Sequence, residues 1–244
     1  MDAMAFHRCA DYQALSEKAS ECLIRAITQN PQATICLATG GTPLLTYSMF
    51  VSKVKQRNID ISQITFVKLD EWLNIPLNAD GTCETFLQTH IIQPLNIAPE
   101  RFISFRSQNV DDKECQRVIE LITQNGGIDL CVLGLGKNGH LGLNEPGDSL
   151  EPACHITVLD EHTRQHAMIK DSEQPVECGI TLGLREIMAA REILFLVAGE
   201  RKQSAFSKLQ EKKVSCQTPS SFLWMHQNVH CLYDSTRFTP NLEN

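Results

Sequence analysis

The run Gly-Leu-Gly-Lys-Asn-Gly-His-Leu-Gly-Leu-Asn-Glu-Pro-Gly, residues 134–147, places five glycines, one histidine, one glutamate and two asparagines directly after an apolar stretch. It is too polar for a core and too rich in glycine for a helix, so it reads as a loop that does chemistry. His140 can move protons at neutral pH, and Glu145 can orient it or stabilise its charge. A second candidate is Asp70, which follows the apolar run Phe66-Val67-Lys68-Leu69 with Glu71 and Trp72 beside it. A carboxylate partly desolvated by an aromatic neighbour and set against a like charge is expected to titrate higher, in the range useful to a general base. A capping or turn role is the plainer alternative.

Thr39-Gly40-Gly41-Thr42-Pro43 is the third cluster. Its glycines free backbone N–H groups to point into a concavity, its threonines add hydroxyls, and Thr42 as cap with Pro43 at the first helical position would open a helix. That is the make-up of a phosphate cradle at a helix N-terminus, although a double glycine also makes an ordinary tight turn. The Gly-Lys-Ser/Thr of a P-loop is missing. Lys202 could supply the positive charge such a cradle lacks, against the default of a solvated lysine.

These clusters need elements to bring them together. Tyr12, Leu15, Ala19, Leu23, Ala26 and Ile27 recur at helical spacing and predict a helix ending near Asn30-Pro31. Short apolar runs at 34–38, 64–69, 128–135, 193–198 and 229–233 predict strands, with helical stretches around 44–54, 82–93, 111–124 and 181–190 and a short helix after Pro219. Alternating strands and helices, with strands apolar throughout, predict one α/β domain over residues 1–244: a modified Rossmann-like fold, a mostly parallel central sheet covered by helices on both faces. In such sheets ligands bind beyond the carboxyl ends of the strands, which is where all the polar clusters fall.

Composition sets the outer limits. The chain has 244 residues, is 42% hydrophobic and carries a net charge of −7, and it shows no basic cluster, so a nucleic-acid partner is not expected. No run reaches the length of a membrane span, and no apolar signal segment opens the chain, which predicts a cytoplasmic protein. The ten cysteines are scattered, the closest pair 13 residues apart, and read as small buried hydrophobes in a reducing compartment rather than as catalytic or metal-binding thiols. His162 and His166 have i, i+4 spacing without the acidic partner of a His-Glu-x-x-His site, so no metal is expected.

Taken in order and at these separations, Thr-Gly-Gly-Thr-Pro, Leu-Asp-Glu-Trp and Gly-Lys-Asn-Gly-His-Leu-Gly-Leu-Asn-Glu-Pro-Gly resemble the glucosamine-6-phosphate isomerase/6-phosphogluconolactonase superfamily over nearly the whole chain. Asn144-Glu145-Pro146 resembles the aminosugar-phosphate branch, and the segments 66–72 and 130–147 are most similar to deaminating galactosamine-6-phosphate isomerases. The resemblance implies a cytoplasmic enzyme of carbohydrate metabolism and amino-sugar catabolism. It would convert galactosamine 6-phosphate and water to tagatose 6-phosphate and ammonia, formally a hydrolytic deamination coupled to an aldose–ketose isomerisation. Thr39, Gly40, Gly41, Thr42 and Lys202 would hold the phosphate, His140 with Glu145 would open the sugar ring, and Asp70 would take the C2 proton. No cofactor is implied, because the substrate's own carbonyl acidifies C2.

Departures from the pattern accompany it. Asn138 stands where glucosamine-6-phosphate enzymes usually carry an Asp that pairs with the motif histidine; it can orient an imidazole but not stabilise its cation as a carboxylate would. A downstream phosphate-binding arginine has no clean match, Arg164 falling a few residues early. His155 and Thr157 occupy the approximate positions of an activator site, so strong activation by an aminosugar phosphate is not expected. A homo-oligomer is compatible with such an enzyme. The alternatives are a glucosamine-6-phosphate deaminase, a 6-phosphogluconolactonase-like hydrolase, and a non-catalytic sugar-phosphate sensor.

Overall fold

A computed structural model describes residues 4–164, 168–169 and 175–240. Its centre is a seven-stranded sheet made of β1 (Met4–Cys9), β2 (Thr34–Leu37), β3 (Thr65–Lys68), β5 (Phe102–Ile103), β6 (Leu130–Gly134), β9 (Glu192–Val197) and β10 (Val229–Asp234). The strands lie in the order β1-β10-β9-β6-β2-β3-β5, and every pairing among them is parallel. Alternate residues serve opposite cores. Ile35, Leu37, Leu130, Val132, Leu194 and Leu196 pack on one face, and Cys36, Cys131, Leu133, Ile193, Phe195 and Cys231 on the other. Burial on both faces is why these strands read as unbroken apolar runs.

Helices α1 (Tyr12–Gln29), α2 (Gly41–Gln56), α4 (Asp112–Gln124), α6 (Leu184–Met188) and α7 (Gln203–Gln210) fill the crossovers. Helix α1 starts where the Asp11 side chain accepts from Ala14 N–H at 2.7 Å, and it buries Leu15, Ala19, Leu23 and Ile27 as its spacing predicts. Helix α3 (Cys83–Leu87), capped by Thr82, runs on as a π-helical turn over Gln88–Ile92.

A second sheet lies outside the sequence expectation. β4 (Asp70–Trp72), β7 (His155–Val158) and β8 (Cys178–Thr181) pair antiparallel in the order β4-β8-β7. The stretch expected to be helical from 181 to 190 is therefore strand at Thr181, and its helix is confined to Leu184–Met188. β1 and the two-residue β5 are further strands that apolar runs did not mark, since β1 is buried only at its ends, Met4 and Cys9. His166 lies outside the described residues; among the described residues no group of three or more metal-type ligands occurs, and no helix is long and apolar enough to cross a membrane.

Only Leu69 separates β3 from β4, so one continuous segment passes from the parallel sheet into the antiparallel one. Buried charge holds that junction. Lys68 Nζ donates to Glu71 Oε2 at 2.6 Å, to Glu84 Oε2 at 2.7 Å and to the Phe105 carbonyl at 3.1 Å. Glu71 also accepts from the backbone N–H groups of Trp72, Cys83 and Glu84. Removing the cation would strand two carboxylates in the interior, and a broken buried pair is far more costly than an absent one. Lys68→Met is expected to lower the unfolding free energy by about 3–5 kcal/mol, read as a shift of the urea midpoint at neutral pH.

Candidate functional site

A cavity of about 690 Å³ opens at the carboxyl edge of the parallel sheet. Its walls come from the segments that follow β2 (Ala38–Thr42), β3 (Leu69, Asp70 and Trp72), β6 (Gly134–Asn138 and His140) and β9 (Ala198–Glu200 and Lys202), with Asp234 and Arg237 after β10. Between β2 and β6 the chain order reverses, one half of the sheet growing toward β5 and the other toward β1. That reversal leaves the crevice in which parallel sheets bind ligands.

Gly40 turns the chain from β2 into α2 at φ 94°, a backbone shape that favours glycine. It is the N-cap, so the expected cap at Thr42 is corrected: α2 begins at Gly41, and Pro43 is its third residue rather than its first. The Thr42 side chain is free for another use, accepting from Lys202 Nζ at 3.0 Å. Tyr12, which sequence reasoning passed over, braces this turn, its hydroxyl 2.8 Å from the Gly41 carbonyl oxygen and accepting from Leu45 N–H.

Lys202 makes no ion pair with a carboxylate among the described residues. Burial, with Lys137 adding to it, pulls its ammonium down to about 8. A partly buried cation beside the first turn of a helix has the chemistry to attract an anion.

Across the cavity, Asp70 is 8% exposed. Burial, reinforced by the charge of Glu71, lifts its carboxyl to about 6. Desolvation is the larger cause and the like charge the smaller, the two that the sequence led us to expect, and the Glu71 carboxylate is turned toward Lys68 and the α3 backbone.

The loop after β6 forms the third wall. Gly136 is forced by contact, since a Cβ there would lie 2.3 Å from the His140 ring. The imidazole rests on bare backbone, its Nδ1 3.3 Å from Glu145 Oε2. Asn138 holds the other partner as well, accepting from His140 N–H at 3.1 Å and donating to the same Glu145 oxygen at 3.0 Å. Its reach is thus to the carboxylate and the backbone of His140, not to the ring. Burial opposes ionisation of Glu145, yet its contact with His140 prevails and keeps it below the usual carboxylate range. Glu145 stands behind the histidine, outside the cavity lining, while His140 and Asn138 line it. Asn144 is structural: fully buried, it donates to the carbonyls of Leu141 and Leu182.

Every sequence candidate falls in or directly behind this one cavity. Arg164 does not, its Nε donating to the Leu159 carbonyl at 2.9 Å. Cys83 is buried, as expected of the cysteines, and its thiol lies 3.5 Å from Asp70 Oδ1. Nothing in local sequence marks it, for the contact spans 13 residues.

The carboxyl edge of the sheet thus sets into one cavity a cation with no carboxylate partner among the described residues and a carboxyl of raised pKa, the make-up of an enzyme site. Comparison narrows the class. The model of the family described as glucosamine-6-phosphate isomerases/6-phosphogluconolactonase matches residues 9–232, and the chain belongs to that family, as its three motifs led us to expect. It is 58% identical over 225 residues to a protein of Escherichia coli (strain K12) that carries the provisional name deaminase AgaI, covering 92% of this chain and 90% of that one. It is 36% identical over 227 residues to the glucosamine-6-phosphate deaminase of Halalkalibacterium halodurans, covering 91% and 92%. Among solved structures it is similar to a monomeric glucosamine-6-phosphate deaminase, with a TM-score of 0.89 at 31% identity over 95% of this chain and 97% of that one. The 6-phosphogluconolactonase from Trypanosoma brucei, at a TM-score of 0.74 and 19% identity over 95% and 96% of the two chains, shares the fold.

The state of Lys202 has a measurable sign. A bound anion raises its folded-state pKa above the value of about 8 in the free protein, so affinity is full below that pH and is lost above it. Sulfate, whose charge is fixed across this range, is expected to bind with an affinity falling up to about tenfold per pH unit above that point. Titration calorimetry checks it, and Lys202→Met should bind weakly at every pH.

Proposed function

We propose that this chain is a deaminating aldose–ketose isomerase that converts galactosamine 6-phosphate and water to tagatose 6-phosphate and ammonia. The observation that carries the reading is the placement of Asp70, with its carboxyl near pH 6, in the same cavity as the unpaired Lys202. The N–H groups after Gly40, with Thr39, Thr42 and Lys202, hold the 6-phosphate and so fix the distance of the reacting carbons from it.

Ring opening falls to His140. With its Nδ1 directed at Glu145, the other ring nitrogen is left for the sugar, and it moves a proton between the anomeric hydroxyl and the ring oxygen. Asn138 keeps Glu145 in register. Asp70 then takes the proton from C2 of the open aldose while the C2 ammonium gives a proton to O1, leaving a 1-hydroxy-2-amino-ene, and Asp70 returns its proton to C1. The resulting C2 iminium adds water and expels ammonia, leaving the ketose phosphate. A base near pH 6 is ionised at neutral pH and weakly enough solvated to accept from carbon.

Galacto over gluco rests on the likeness of residues 66–72 and 130–147 to galactosamine-6-phosphate isomerases. The gluco substrate is the second reading, favoured by the relatives named glucosamine-6-phosphate deaminases. Ammonia release by the purified protein from each aminosugar phosphate decides between them by kcat/KM. Ammonia from neither, or acid release from 6-phosphogluconolactone that outpaces both, would overturn the proposal.

Two outcomes are expected of Asp70. Below pH about 6 the carboxyl is protonated and kcat/KM should fall about tenfold per pH unit. Asp70→Asn should lose roughly 10²–10⁴-fold in kcat while still binding the sugar phosphate, and its melting temperature should not drop, since an ionised group held in an apolar setting is replaced by a neutral one. A protein that only sensed the sugar phosphate would keep its response in that variant.

A further inference from the structure

Cys83 is the first residue of α3, and its side chain is 1% exposed. It lies between the two halves of the site. Thr39 Oγ1, from the turn after β2, donates to Cys83 Sγ at 3.2 Å, and the thiol donates in turn to Asp70 Oδ1 at 3.5 Å. Its own N–H donates to Glu71 Oε1 at 2.9 Å, which pins the residue to the buried charge cluster. Burial, with Glu71 and Asp70 close by, pushes the thiol well above its ordinary range. The sulfur therefore keeps its hydrogen and acts only as donor to the carboxylate.

We propose that Cys83 is a positioning residue for the reaction: the Thr39–Cys83–Asp70 chain fixes Oδ1 of the carboxylate, leaves Oδ2 to the substrate, and ties the carboxylate to the anion cradle. Oδ2 receives no hydrogen bond among the described residues, and what faces it is the bare backbone of Gly142, where a Cβ would stand 3.5 Å away. Other charged or titratable groups face Asp70 from each element packed around it: Glu71 of β4, Lys68 of β3, His140 of the loop after β6, Cys36 of β2 and Tyr47 of α2. Burial and Glu71 raise the carboxyl, and of the influences that lower it the thiol of Cys83 comes first, ahead of His140 and Lys68.

The inference rests on Asp70 being the base, and the test separates the two ideas by reading the carboxyl directly. In the full-length protein, the Asp70 carboxyl is followed by 13C NMR titration and the acid limb of kcat/KM is measured on the same variants. Losing one hydrogen bond to the ionised form should move both upward by roughly half a pH unit to one unit in Cys83→Ala. The kcat should fall several-fold with KM within about twofold of the wild type, because the cradle is intact. Cys83→Ser keeps a donor and should restore the wild-type limb. Thr39→Val, which removes the far end of the chain together with a cradle hydroxyl, should shift the carboxyl titration in the same direction by less while also raising KM, and its carboxyl titration serves if Cys83→Ala does not fold. A carboxyl titration unmoved in Cys83→Ala, or in Thr39→Val where that variant stands in, overturns the positioning role. A titration that moves while the rate profile stays fixed supports the positioning and strikes instead at Asp70 as base.

Discussion

The carboxylate of Glu71 is the constraint on which the site depends. Its two oxygens take Lys68 Nζ and the N–H groups of Trp72, Cys83 and Glu84, four donors for about four lone-pair positions. That saturation fastens the end of β3, the start of β4 and the first turn of α3 to one point. Asp70, next in the chain, has no freedom left in its backbone and is presented where the two sheets meet. The burial that raises its carboxyl is thus a by-product of how its neighbour is held.

Two lysines, one enclosed and one at the cavity, show how the same side chain serves opposite ends. Lys68 is enclosed by two carboxylates and a carbonyl and contributes to the fold. Lys202 is only partly buried, has the Thr42 hydroxyl as its hydrogen-bond partner, and sits at the cavity. The difference lies in what the surrounding elements provide. The β3–β4–α3 junction supplies acidic groups to Lys68, while the segments after β2 and β9 offer Lys202 glycines, a threonine hydroxyl and the open cavity, with no carboxylate in ion-pair contact among the described residues.

Local sequence made much of this legible. β2, β3, β6, β9 and β10 are buried on both faces, so each is a continuous apolar run, and polar residues ending such runs had to collect at one sheet edge. The small sheet was hidden because β7 is only half-buried and β4 is the Asp-Glu-Trp cluster itself, which reads as a loop when its antiparallel partner near residue 180 is unknown. Within the site, Gly40, Asp70, His140 and Lys202 follow strands and announce themselves. Tyr12 and Cys83 do not: the first braces a turn 29 residues away, the second reaches a carboxylate across a separate helix, and no local pattern encodes either. Thr42 lines the cavity, while the capping expected of it falls to a glycine at positive φ.

The order of strands also has a kinetic side. β1 pairs with β10, Met4 opposite Val229, so the first strand of the sheet cannot find its neighbour until almost every other element exists. During synthesis β1 waits as an unpaired strand while β2, β3 and β6 close among themselves. Pairing across such separation carries a large loop-closure cost and folds slowly. The mixed polarity of β1, with Ala5, His7 and Arg8 among its less buried positions, then takes on a second meaning, because it keeps a strand that must wait from offering an apolar edge to other chains.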